Sequence, residues 1–391
     1  MTTPATWYVI TGNADYYWRV VAPARAIGAK LCMIPEEGGY RAVTEPNDDT
    51  AFRWRLHDTD TGYIEYPDHE GAAVWTRPDL ARATHARAMR EQLGIRTVAE
   101  VDDNYVGDPR LNVFMHSNRF DETKRLDHLK SCASMNAIIV TTPQLRDIYY
   151  KAVKDQFGRK LIPPIHVCGN HLFLEDWPVP IARDGPLRVG WMGSPAHIWD
   201  VDLAWPAMLH ARNRGCDTYM IGYNPADPDD FVVETDRSLH KAKQWAKAVT
   251  HHVPWELLDG SRRLALPLDI GLAPLQHNHF TLGKSDIKAI EYAISGAAPV
   301  LSNTPVYSRN WTHGETCLLA GSPREMLNCV DLLIRKPSLR ERIVENAQQY
   351  VREERDITKH ADEWREAVCG DSADLLRDPS ERVDAVGART A

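Results

Sequence analysis

Nowhere in this chain do about 18 apolar residues run together, the length a helix needs to cross a bilayer. Its opening, MTTPATWYVI, has no charged segment leading into an apolar one of the kind that directs secretion. A cytoplasmic protein is therefore expected, with no integral membrane segment. Positive charge is also in short supply. The formal net charge is -8 over 391 residues, and no Lys/Arg cluster offsets it. That argues against nonspecific nucleic-acid binding, which needs phosphate neutralisation. The cysteines Cys32, Cys132, Cys168, Cys216, Cys317, Cys329 and Cys369 are scattered and odd in number, with no C-x-x-C pair, so they read as buried thiols. The histidines His251-His252 and His277-x-His279 find no partner at zinc-site spacing, and no metal is expected. A G-x-G-x-x-G fingerprint, a G-x-S-x-G elbow and a P-loop are all missing, which leaves dehydrogenase, serine-hydrolase and P-loop kinase readings without support.

What the chain does have is 43% hydrophobic residues, enough for two or three cores, and a regular alternation of short apolar runs with helical patterns. Strands are expected at 7–10, 30–34, 72–75, 97–101, 137–140 and 165–168. Helices are expected at 17–27, 80–93 and 121–135, with another opening at Thr142-Pro143. Such alternation implies a parallel sheet with crossover helices. The segment Glu175 to Pro186 holds Pro178, Pro180 and Pro186 and no periodicity, and reads as a linker. A second alternating unit starts at Leu187, with strands at 187–191 and 218–221, and 338–354 and 357–368 read as consecutive helices. The expected organisation is an α/β chain of two doubly wound, Rossmann-like domains with a ligand in the cleft between them. The domains span 1–174 and 187–350, a final helix occupies 351–369, and a charged tail without periodicity, read as disordered, follows at 370–391.

The most informative stretch is Leu268 to Ser302, LDIGLAPLQHNHFTLGKSDIKAIEYAISGAAPVLS. A short apolar run suited to a buried strand is followed by a polar loop and then by helical spacing from Ser285 to Ser295. Ile287, Ile290 and Ile294 mark a core face, while Lys284, Lys288, Glu291 and Ser295 stack along the other. Ser285 is the expected N-cap, Asp286 suits the first turn, and Gly296 with Pro299 forms the expected stop. A helix start beside Lys284 favours an anion, and Glu291, two turns on, can accept both hydrogens of a vicinal diol. Diphosphate plus ribose is the ligand those groups suggest. A plain surface helix with a Lys–Glu pair is the simpler alternative.

Here the chain resembles the donor-binding segment of GT-B glycosyltransferases related to family 4. The likeness is to the Lys-Ser-x-x-Lys-x-x-Glu-Tyr variant of some bacterial and phage-encoded enzymes. The resemblance implies the GT-B fold, a nucleotide-sugar substrate of unknown base rather than a bound cofactor, and a carboxylate at Glu291 holding the ribose. It also covers Gly190-Trp-Met-Gly193-Ser-Pro-Ala-His197, similar to the glycine loop that opens the donor domain, which makes Gly193, Ser194 and His197 candidate donor contacts beside Lys284, Ser285 and Lys288. An ordinary strand-to-helix turn is the alternative there. Tyr16-Tyr17-Trp18-Arg19 resembles the family's Tyr-Tyr-x-Arg element, which would let Arg19 reach a phosphate or sugar. Asp102 and Asp103 follow an expected strand, where they would hold acceptor or sugar hydroxyls as catalytic residues with Lys284; loop capping is the alternative.

Two departures from the family pattern stand out. The glutamate often found eight positions before the ribose-binding one is Gly283 here, which leaves sugar recognition to His277, His279 or Thr281. The Arg and Lys that often follow the glycine loop are missing after Gly193. The expected activity is metal-independent, retaining transfer of a sugar to an acceptor that the sequence does not identify: glycan, lipid, small molecule or protein, a virion protein among them if the enzyme is phage-encoded and works in host cytoplasm. A sugar-nucleotide epimerase, or a catalytically silent GT-B scaffold binding a glycan or protein partner, are the competing readings.

Overall fold

A computed structural model describes all residues except 1–4, 11–16, 35–40, 44–53, 59–61, 66–70, 79, 112–120, 178–183, 195–196, 225–243, 255–267 and 371–391. The turn Thr11-Gly12-Asn13, Tyr16, residues 178–183 of the expected linker, Pro195-Ala196 and the tail from residue 371 lie outside the described residues. The chain divides into two compact units. One comprises Met1–Val106, Asp121–Leu172 and Ile357–Ala391, and the other Gly107–Phe120 and Phe173–Asp356.

In the first unit the chain forms β1 (Ala5–Ile10), α1 (Ala22–Ile27), β2 (Lys30–Ile34), β3 (Arg41–Val43), a hairpin of β4 (Trp54–Asp58) and β5 (Gly62–Glu65), and β6 (Ala72–Thr76). It continues through α2 (Leu80–Leu93), β7 (Arg96–Val101), α3 (Glu122–Ser134), β8 (Ala137–Val140), α4 (Pro143–Phe157) and β9 (Ile165–Val167). Among the described residues these build a seven-stranded sheet in the order β3-β2-β1-β6-β7-β8-β9. Only β3 runs antiparallel to its neighbour. Local chemistry sets the helix ends. Asp121 caps α3 by accepting Lys124 N–H at 3.0 Å, Thr142 caps α4 by accepting Leu145 N–H at 3.2 Å, and Gly28 closes α1 at φ 75°, a left-handed conformation that glycine adopts without a Cβ penalty. The helix expected over 17–27 begins as a wider helical turn, Tyr17–Val21, before tightening into α1.

The second unit runs β10 (Arg188–Gly193), α5 (Ile198–Val201), α6 (Trp205–Asn213), β11 (Asp217–Gly222), β12 (His251–Val253), β13 (Ile270–Ala273), α7 (Ile287–Ile294), β14 (Ala298–Ser302), α8 (Pro305–Ser308), β15 (Leu318–Ala320), α9 (Pro323–Arg335) and α10 (Pro337–Glu354). Among the described residues its sheet has six strands, β12-β11-β10-β13-β14-β15, all parallel. One core cluster lies on a single face of that sheet, where Val189, Trp191, Ile270, Leu272 and Val300 meet Met208 of α6, Val330 of α9 and Ile343 of α10. That is what a parallel sheet covered by helices requires. The chain then returns to the first unit, where a short turn, Ile357–Lys359, precedes α11 (Ala361–Cys369) in place of the single helix expected over 357–368. Trp364 of α11 is buried against Trp7 of β1, ring centroids 6.0 Å apart. No helix among the described residues is long and apolar enough to cross a membrane.

The expected stop is in place, and Pro299 has a further setting beyond it: it lies inside β14, between β13 and β15. The strand tolerates it because N–H groups alternate in direction. Ala298 N–H donates to Asp269 C=O at 2.9 Å on the β13 side, so the Pro299 nitrogen faces the other side, where pairing with β15 begins only at Val300. The helix indeed ends before it, at Gly296, φ 82°.

Candidate functional site

Ligands of open parallel sheets bind beyond the C-terminal strand ends, where strand order reverses. In the second unit that point lies between β10 and β13, since β11 and β12 extend to one side and β14 and β15 to the other. The segments leaving these two strands, with α7 behind them, carry Gly193, Ser194, His197, Lys284, Ser285, Lys288 and Glu291, so seven of the expected site residues gather in one region of one unit. A small pocket there is lined by His197, Asp200, Gln276, Asn278, Thr281 and Lys284, among others.

The loop after β13 is held by its own polar groups. The Thr281 hydroxyl accepts Asn278 N–H at 3.0 Å and donates to Gln276 C=O, while Asn278 Oδ1 accepts Thr281 N–H at 2.9 Å. Gln276, Asn278, Phe280 and Thr281 line the pocket, whereas His277 and His279 are exposed. Of the three side chains expected to recognise sugar, only Thr281 lies at the pocket. Lys284 follows, its Nζ 5.0 Å from the centre of the Phe280 ring.

Helix α7 differs from the amphipathic expectation. Ile290 and Ile294 are buried as foreseen, but so are Glu291 at 2% and Ser295 at 4% exposure. Strands β13 and β14 cover one side and α10 the other, so the polar stripe points into protein except in its first turn, where Lys288 is half-buried. Ser285 is not the N-cap. Asp286 holds that position without a side-chain cap, its backbone C=O accepting from Ala289 and Ile290 N–H. Its carboxylate turns inward to accept from Arg355 Nη2 at 2.7 Å, Trp311 Nε1 at 3.0 Å and Asn310 Nδ2 at 3.2 Å. Buried partners outcompete the cap.

His197, at the start of α5, places Nδ1 2.9 Å from Asp200 Oδ2 and Nε2 3.3 Å from Lys288 Nζ. Burial and the Lys288 charge lower its pKa to about 4, against the pull of Asp200. Gly193 ends β10, and its role in the structure is spatial: a β-carbon there would lie 2.4 Å from the Trp191 ring.

The remaining expected residues lie in the first unit. Arg19 is 1% exposed and is taken up by protein partners: Nε donates to Glu100 Oε1 at 2.6 Å, Nη1 to Cys168 C=O at 2.7 Å, and the guanidinium lies 4.7 Å from the Trp364 ring centre. Those contacts account for Arg19 as an anchor among three chain segments. Asp102 receives a two-pronged pair from Arg77, 2.8 Å at Nε, and the Tyr105 hydroxyl at 3.2 Å. Asp103 Oδ1 accepts Asn104 N–H at 2.9 Å, a loop-capping contact. Glu100, Arg77 and Asp200 are additions from the structure. Glu100 carried a signal, since a carboxylate inside the apolar run Val98 to Val101 must find a cation. So did Asp200, three residues after His197 on a helix. Arg77 is the one non-glycine residue with positive φ, 49°, among the described residues, and nothing local marks it in advance.

No model of a protein family matches the sequence, and no curated protein matches it. Solved structures do match in shape. The chain is similar to sucrose-phosphate synthase from Thermosynechococcus elongatus, with 15% identity, TM-score 0.59, and coverage of 92% of this chain and 96% of that one. It is similar to HepE of Anabaena in complex with UDP and glucose, with 10% identity, TM-score 0.61, and coverage of 92% and 97%. A glycosyltransferase from Rickettsia africae matches with 10% identity, TM-score 0.61, and coverage of 96% and 99%. The fold is GT-B. Both units contribute the parallel α/β sheets that the GT-B fold requires. Among the described residues, no three His, Cys, Asp or Glu side chains gather as a metal site.

Proposed function

We propose that the protein is a glycosyltransferase that moves a sugar from a nucleotide-sugar donor, held by the second unit, to an acceptor hydroxyl. The observation that carries this reading is the grouping of Lys284, Ser285, Lys288 and Glu291 at the strand-order reversal of a GT-B sheet. Glu291, 2% exposed on α7, is the carboxylate that this reading assigns to the ribose diol. Lys284 and Lys288 face the diphosphate. HepE has been captured with UDP-glucose, which supports a uridine donor as the first to try.

In the reaction the bond from the anomeric carbon to the diphosphate oxygen breaks and a bond to the acceptor oxygen forms. The nucleoside diphosphate leaves with the electron pair, and its phosphate takes the acceptor proton. The lysines stabilise the developing charge without a metal, and the anomeric configuration is retained. Asp102 and Asp103 belong to the acceptor side in this reading. The acceptor is a glycan, lipid, small molecule or protein.

Thermal unfolding with UDP-, GDP- and TDP-sugars, on the wild type and on Glu291→Ala, tests the reading. A donor at about 100 times its dissociation constant adds roughly 2.7 kcal/mol of stability. The expected result is a shift for one nucleotide class that disappears in Glu291→Ala. Absence of any shift at saturation would favour a silent GT-B scaffold, and turnover without an acceptor would favour an epimerase.

A further inference from the structure

His197 is hydrogen-bonded on both ring nitrogens, and its partners fix where its protons are. A carboxylate only accepts, so Nδ1, 2.9 Å from Asp200 Oδ2, carries the hydrogen. An ammonium only donates, so Nε2, 3.3 Å from Lys288 Nζ, offers its lone pair. This is a neutral imidazole in the Nδ1–H form, the less populated tautomer of free histidine. Asp200 is itself fixed. Its other oxygen accepts Gln276 N–H at 2.8 Å, and the Gln276 side chain donates to Trp199 C=O at 2.7 Å. The charged groups around His197 are Asp200 on its own helix, Lys288 on α7 and Lys284 in the turn before α7; a second ring proton would set a cation against two lysines.

We propose that Asp200 and His197 are positioning residues for the anion site: Asp200 sets the tautomer of His197, and His197 holds the Lys288 ammonium at the site as a neutral acceptor. The choice of partner matters. A carboxylate in place of the imidazole would anchor Lys288 equally well but cancel the charge the anion needs, whereas an imidazole lone pair anchors it and leaves the charge intact. A lysine side chain loses substantial rotamer freedom when it is fixed, so anchoring it before the ligand arrives lowers the cost of binding. The inference rests on the nucleotide-sugar reading, because the anion is the donor's diphosphate.

The tautomer is measurable without ligand. Long-range 1H–15N spectra of 15N-histidine-labelled protein, with His197 assigned by its loss in His197→Gln, should show Nδ1 protonated and Nε2 bare. Asp200→Ala should move the population toward Nε2–H, which a merely structural role for Asp200 would not do. Calorimetry with the UDP-, GDP- and TDP-sugars then reads the consequence, and these diesters keep a constant charge near neutral pH. Asp200→Ala and His197→Leu should bind about tenfold more weakly, roughly 1.4 kcal/mol. His197→Gln retains an amide oxygen for Lys288 and should recover most of that loss. An Nε2–H tautomer in the wild type overturns the proposal. So does full affinity in Asp200→Ala and His197→Leu when Glu291→Ala has lost binding, and in that case the proposed function stands. A wild type that binds none of the donors removes the proposed function, and this role with it.

Discussion

The ring of Tyr292 fills the space that a side chain at Gly271 would occupy: a β-carbon there would lie 2.3 Å from the ring. The hydroxyl of the same tyrosine accepts Met192 N–H at 3.0 Å and donates to Leu272 C=O at 2.9 Å. It thus bridges β10 and β13 where their pairing ends, at Trp191 and Leu272. Tyr292 adjoins Glu291, so the bridge ties α7 to the strand ends that flank the candidate site. Gly271→Ala forces the ring aside and should destabilise the protein by about 1–3 kcal/mol. Tyr292→Phe leaves two buried backbone groups without their partner, and about 1–3 kcal/mol for such a group sets the scale of its loss. Urea unfolding reads both, and an unchanged midpoint for either variant would contradict the packing described.

The Arg19–Glu100 pair should make stability depend on pH. Burial pushes the Glu100 carboxyl up to about 7, with Arg19 opposing and Asp102 adding to the rise. An acid whose pKa is raised by folding binds its proton more tightly in the folded state. Its contribution is therefore fully present below the unfolded value of about 4.3 and is lost as pH climbs through about 7. In Arg19→Met the carboxylate loses its cation. The destabilisation should approach the 3–5 kcal/mol typical of a broken buried pair at pH 8, and should be smaller at pH 5.5, where Glu100 takes up a proton. Urea midpoints at the two pH values decide it; a loss of equal size at both would mean that Glu100 is not the group responsible.

These long-range pairs also show where sequence reasoning stopped. The alternation of apolar runs and helical spacing was enough for the doubly wound architecture, and the Lys284 to Glu291 spacing was enough to put Lys288 and Glu291 on α7 with Lys284 and Ser285 just before it. Both are local patterns with a period of a few residues. Asp286 looked like a first-turn acid because Asp suits helix starts, but its partner Arg355 lies 69 residues away. Arg19 looked available for a phosphate, but Glu100 lies 81 residues further on. Each error replaced a tertiary partner with a local rule.

The Asp286–Arg355 pair offers a way to separate stability from site geometry. Asp286 precedes α7 directly and follows Lys284 and Ser285, so its three donors, two of them buried, fix the backbone from which the proposed phosphate contacts project. Arg355 lies at the end of the second unit, one residue before its boundary at Asp356, and is also held by the Tyr350 hydroxyl at 2.9 Å. Removing one partner leaves an uncompensated buried charge, so Asp286→Leu and Arg355→Met should each cost about 3–5 kcal/mol. Removing both takes away the orphaned charge, and the double variant should lose much less than the two single losses combined, a coupling that a double-mutant cycle measures. Nucleotide-sugar affinity should behave differently. The double variant regains stability but has nothing to hold the Lys284–Ser285 turn, so its affinity should remain below that of the wild type under conditions where it is fully folded. Additive stability losses would show that the two residues are not energetically paired. Wild-type affinity in the double variant would show that the turn holds its shape without them.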